Sequence, residues 1–107
     1  MANLTASIPH QLGRDEARRR IQEQIVLMRR QPGFSLAALQ ESWSGDRMDF
    51  VAEMGGHSIS GFLIVEEVAV YANITLPWIL GLLADSVKHR IEHDVRRLLA
   101  GPGHSNP

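Results

Sequence analysis

Hydrophobic and polar positions follow two different periods along the chain. Between residues 14 and 31, Ala17, Ile21, Ile25 and Met28 recur at spacings of four, four and three, with Arg and Gln between them. This is the pattern of an amphipathic helix. Asp15 and Glu16 in the first turn and Arg29 and Arg30 in the last complement the helix dipole, and Pro32-Gly33 ends the helix. From Phe34 to Leu76 the period is two. Turn signals at Ser44-Gly45-Asp46, Gly55-Gly56 and Glu66-Glu67 divide this stretch into four antiparallel strands joined by hairpins. The first strand, about Ser35 to Trp43, alternates poorly. The other three place Met48, Phe50 and Ala52, then Ile59, Gly61, Leu63 and Val65, then Val68, Val70, Ala72 and Ile74 on one side, the set expected to face the core.

Thr75 or Leu76 is expected to cap a second helix, with Pro77 in its first turn and an end near Ala100. Its stripe is Ile79, Leu83, Val87, Ile91, Val95 and Leu98, and Gly101-Pro102-Gly103 stops it ahead of a frayed tail, His104 to Pro107. The order α-β-β-β-β-α predicts an α+β fold. It is a four-stranded antiparallel meander with an N-terminal helix and a long C-terminal helix packed on one face, leaving the other face open. The arrangement is analogous to a reduced helix-grip fold. A length of 107 residues suits a single domain, ordered over about residues 5–100, with 101–107 as a flexible tail.

Composition narrows the function classes. A 44% hydrophobic and 21% charged chain has the means to build a core. Without cysteine it has no disulfide scaffold, thiolate metal site or cysteine nucleophile. No run of about 18 apolar residues is present to span a membrane. Met1 to Thr5 also lack the basic and apolar regions of a signal peptide, so a cytoplasmic location is expected. The net charge of −1 is unevenly spread: residues 1–33 carry +3, residues 34–77 carry −5 and residues 78–107 carry +1. A pI near 6.5, with the aromatic residues concentrated in the acidic segment, makes nucleic acid an unfavoured partner. The Arg18-Arg19-Arg20 run is its only support.

Several dispersed motifs, in order, resemble one family. They are Pro9-His10-Gln11-Leu12-Gly13 leading into Glu16-Ala17, Trp43-Ser44-Gly45-Asp46-Arg47-Met48-Asp49-Phe50, Ser60-Gly61 within a strand, and Leu76-Pro77-Trp78 through Arg90-Ile91-Glu92. Over about residues 7–100 the chain is similar to the small bacterial polyhydroxyalkanoic acid system proteins. The resemblance implies an accessory role in polyhydroxyalkanoate storage and carries no catalytic residues with it. One departure stands out: the outward face of the third strand tends to be polar or charged in that family, whereas here it carries Phe62 and Ile64.

The chemistry-bearing residues favour structural readings. His89-Arg90-Ile91-Glu92-His93 satisfies H-x-x-E-H, but only Asp94 follows as an acidic third ligand, and the two histidines flank the apolar stripe as solvated residues would. No catalytic, cofactor-binding or metal-ligating residue is assigned. His10 is read as a hydrogen-bonding residue that ties the N-terminal segment down, and His57 as exposed. The carboxylate pairs Asp46/Asp49 and Glu66/Glu67 belong to turns and strand edges. Gly55, Gly56 and Gly61 form no phosphate loop, because neither a helix start nor Gly-Lys-Ser/Thr follows them.

Two apolar features exceed what a core needs. Val51, Phe62, Ile64 and Tyr71, with Ala69, gather on the open sheet face as candidates for a homodimer interface. Leu76 to Ala84 runs nine residues without a charge, and Trp78, Leu80 and Leu82 are its candidates for contact with an apolar surface. The expectation is a non-enzymatic accessory protein without cofactor that binds a granule surface or a granule protein, as a homodimer. The alternative is a small acyl-ligand domain with a pocket lined by Met48, Phe50, Leu63 and Leu83. Weak nucleic-acid binding through the first helix is third.

Overall fold

A computed structural model describes residues 2–29, 39–54 and 56–100. It contains β1 (Ala2–Pro9), α1 (Arg14–Arg29), β2 (Gln40–Ser44), β3 (Arg47–Met54), β4 (His57–Val65), β5 (Ala69–Leu76), a 3-10 turn (Trp78–Leu83) and α2 (Ala84–Ala100). The strands form one antiparallel sheet in the order β1-β5-β4-β3-β2. The Pro32-Gly33 stop, the opening of the first predicted strand at residues 35–38, Gly55, and the stop and tail at 101–107 lie outside the described residues.

The α+β class and the meander of β2 to β5 match the expectation, but the sheet has five strands and not four. The added strand is β1, which pairs with β5 without a break from Ala2↔Leu76 to Pro9↔Ala69. Leu4, Ala6 and Ile8 do alternate with Asn3, Thr5 and Ser7, but the apolar set is short and small. Its partner lies 60 to 74 residues away, a relationship that local periodicity does not report. The described part of the first predicted strand is β2, Gln40–Ser44, which ends one residue beyond the expected Trp43 and puts Glu41 and Trp43 opposite Phe50 and Met48.

Both helices cover one face of the sheet. Ala17, Ile21 and Ile25 from α1 and Val87, Val95, Leu98 and Leu99 from α2 close over Ile8, Met48, Phe50, Ile59, Leu63, Val65, Val70, Ala72, Ile74 and Leu76. The inward set is the one that alternation predicts, with one correction. Val68 is 69% exposed, because the chain turns from Glu66 to Ala69 and β5 begins only after it. Gly61 stands opposite Phe50, whose ring covers the position where a side chain is missing.

The start of the C-terminal helix is a second correction. Pro77 keeps an extended ψ of 148°, and the chain then enters the 3-10 turn, so α2 begins at Ala84. At three residues per turn, positions counted on a 3.6-residue period fall out of phase. Ile79 and Leu83 therefore leave the predicted stripe and are about half exposed, whereas Val87, Val95 and Leu98 keep it and Ile91 is half-buried.

Candidate functional site

The polar residues singled out from the sequence serve to join elements. His10 follows β1, and its backbone N–H donates to the Val68 carbonyl at 2.9 Å. Its Nδ1 accepts from the Leu12 N–H at 3.2 Å, which leaves the ring proton on Nε2 to be donated to the Glu66 carbonyl at 3.0 Å. The imidazole thus ties the N-terminal segment to the β4–β5 turn with both nitrogens engaged. Gly45, at φ +62°, makes the β2–β3 turn. Asp46 beside it accepts from Arg18 Nη1 at 2.6 Å and lies 3.7 Å from Arg14 Nε, while its carbonyl accepts from Val65 N–H at 2.9 Å.

The three consecutive arginines are each committed within the fold. Arg18 holds Asp46. Arg19 bridges Glu16 and Glu23 at 2.6 and 2.9 Å. Arg20 bonds Glu16 at 2.8 Å and donates to the Leu99 and Ala100 carbonyls at 2.9 and 3.2 Å, capping the end of α2. Hydrogen bonds from Arg19 and then Arg20 hold the Glu16 carboxyl down at about 2, and Glu16 and Glu23 in turn push the Arg19 guanidinium upward. His89 and His93 are exposed on α2, His57 is half-buried, and no group of three or more His, Asp or Glu able to hold a metal occurs among the described residues.

The open face of the sheet is more polar than its apolar candidates imply. Phe62, Ile64 and Tyr71 are half-buried there and Val51 is 40% exposed. The Arg47 guanidinium lies 4.0 Å above the Phe62 ring and bonds Asp49 at 2.9 Å, and that bond raises its pKa. Phe62 and Tyr71 are tilted against each other at 6.3 Å. An open groove of about 520 Å³ crosses this face between Ser42, Asp49, Val51, Phe62, Asn73 and Thr75. The charged side chains at outward strand positions come from β3 alone, the other outward positions being Ser, Thr, Asn, Gln, Tyr and apolar residues.

On the helical side a cavity of about 60 Å³ lies among Ile25, Leu39, Met48, Phe50, Leu63, Val95 and Leu98, with Asp94 also in its wall. Leu83 is not part of it. The 3-10 turn carries the two most exposed large apolar side chains of the described residues, Leu82 at 100% and Trp78 at 78%, with Ile79 and Leu83 at 53% and 50%. Leu80 departs from the expectation, because it packs against the core and roots the turn. Ile79 and Leu83, assigned to the core from the sequence, belong with the exposed set, and the signal for this was Pro77 and Gly81 bracketing the segment.

Among the described residues no helix is long and apolar enough to cross a membrane. No curated protein and no solved structure matches the chain. Residues 4–99 match the sequence family described as "putative polyhydroxyalkanoic acid system protein". By that match, which takes in α1, β2 to β5 and all but the outer ends of β1 and α2, the chain belongs to the polyhydroxyalkanoic acid system protein family.

Proposed function

We propose that this protein is a non-enzymatic accessory of polyhydroxyalkanoate storage, located in the cytoplasm and on the granule, that acts by binding the granule surface or a granule-associated protein. One observation carries the reading: His10, Arg18 with Asp46, and Arg20 are engaged in holding elements together, while large apolar side chains stand in solvent at the 3-10 turn. Exposed apolar clusters of this kind mark contact surfaces. Co-sedimentation with native and with protein-stripped granules, at low and high salt beside an inert protein of similar size, tests it. Binding to either preparation supports the reading, and binding to neither defeats it.

Self-association through the open sheet face, with Val51, Phe62, Ile64 and Tyr71 at its centre, belongs to the same reading. Arg47 and Asp49, two residues apart on one strand, would let two copies exchange ion pairs across a twofold axis. A dimeric wild-type mass that falls to monomeric in Phe62→Glu or Ile64→Glu supports this interface. A wild type already monomeric defeats it.

The acyl-pocket reading has less behind it. The recess of about 60 Å³ on the helical side is far below the roughly 300 Å³ at which ligand pockets begin. A thermal-shift screen with acyl ligands tests it directly. Nucleic-acid binding is weaker still, because Arg18, Arg19 and Arg20 already hold carboxylates and carbonyls.

A further inference from the structure

The stretch from Leu76 to Ala84 contains no charged residue, and within it the 3-10 turn buries none of its five side chains fully. Three residues per turn set Ile79 and Leu82 on one side, Trp78 on a second, and Leu80 with Leu83 on a third. Leu80 is anchored in the core and the others stand out from it, so the turn is a ridge that is apolar on more than one side. A protein groove takes up one face of a helix and leaves the others wet. A deformable apolar phase closes around all of them. The ridge offers no ion pair to a charged partner, which sets it apart from the basic amphipathic helices that lie on anionic membranes. Trp78 adds an indole N–H on an apolar body, a donor suited to a phase that carries carbonyl acceptors among its methylenes.

We propose that the Trp78–Leu83 ridge inserts into the polyester surface itself, an uncharged aliphatic phase with ester carbonyls, with Trp78 and Leu82 as the penetrating side chains. The assignment rests on the granule-binding reading and names which granule component is touched and by which residues. Burial of either side chain accounts for about tenfold or more in affinity. Insertion is insensitive to salt.

The test uses protein-free particles of poly-3-hydroxybutyrate, neutral phosphatidylcholine vesicles and native granules. Trp78 is followed by fluorescence in the Trp43→Phe variant, which leaves one indole of the two in the chain. Co-sedimentation of the otherwise unmodified protein is the second readout and does not depend on how that variant folds. The expected result is a blue-shifted emission on polyester, binding that survives high salt, and a tenfold or greater loss in Leu82→Asp and in Trp78→Ser. Binding to native granules with unchanged Trp78 emission, or undiminished binding by both variants, overturns the inference and leaves the granule reading standing. Binding to vesicles and not to polyester overturns the polyester assignment. Failure to bind native granules as well overturns both.

Discussion

Arg18 Nη1 lies 2.6 Å from Asp46 Oδ1, a contact across 28 residues of chain that joins the first helix to the β2–β3 turn. Each side chain is one-third exposed, which places the pair between a free surface ion pair and a buried one. Arg18→Ala and Asp46→Ala are each expected to destabilise the protein, with a coupling of about 0.5 to 1 kcal/mol in a double-mutant cycle. Urea unfolding of the four proteins measures it, and a coupling near zero would show that the contact is incidental.

Glu16 sets an acid limit on the α1–α2 junction. Its carboxyl is lowered from 4.5 to about 2 by Arg19 and Arg20, so the stabilisation is present above the unfolded value of 4.5 and is lost as pH falls toward 2. Glu16→Gln should therefore differ most from wild type near neutral pH, with the difference closing across that window. Stability curves of both proteins between pH 7 and 2, with a carboxyl titration by NMR, check the direction.

Gly61 admits no side chain. A Cβ built there overlaps the Asn73 carbonyl oxygen on the neighbouring strand and approaches Phe50 Cζ to 3.1 Å. Gly61→Ala is expected to cost about 2 to 4 kcal/mol, through a shift of β4 against β5. A melting temperature equal to that of wild type would show that the two strands separate easily.

His10 is expected to matter for stability and not for chemistry. Removing its ring in His10→Ala leaves the Leu12 N–H and the Glu66 carbonyl without their partner, a loss of about 1 to 2 kcal/mol. Hydrogen exchange should rise in β1 and the β4–β5 turn first. An unchanged unfolding midpoint would remove the imidazole from the account of how β1 is held.

Truncation at the ridge should show the opposite profile. Leu82 is fully exposed and Ile74 fully buried, although both are aliphatic and eight residues apart. Leu82→Ser is expected to leave the melting temperature within error of wild type, whereas Ile74→Ala loses about 2 to 5 kcal/mol. Thermal melts of the pair settle whether the ridge contributes to the fold.

How much of this was legible in the sequence follows from the range of the interaction concerned. The helix spacing of Ala17, Ile21 and Ile25, the strand alternation from Met48 to Ile74 and the glycine turn at Gly45 all rest on neighbours a few residues apart, and apart from Val68 the structure keeps them. Ser44-Gly45-Asp46 was readable as a turn, but its carboxylate's partner on α1 was not. The arginine run was readable as one face of a helix, but its use in capping α2 at Leu99 and Ala100 was not.

The sequence by itself determined the fold class, the meander of β2 to β5, the inward faces and the family, since composition, period and motif order are properties of the chain alone. Tertiary structure decided that Ala2–Pro9 joins the sheet, because a short strand is held by the backbone hydrogen bonds and core that its distant partner β5 supplies. It also decided that Trp78, Ile79 and Leu82 face solvent. Nine uncharged residues state that apolar surface is present, while its direction depends on the path from Leu76 through Pro77 into a turn of three residues per repeat, set by where β5 ends and where α2 must lie to cover the core.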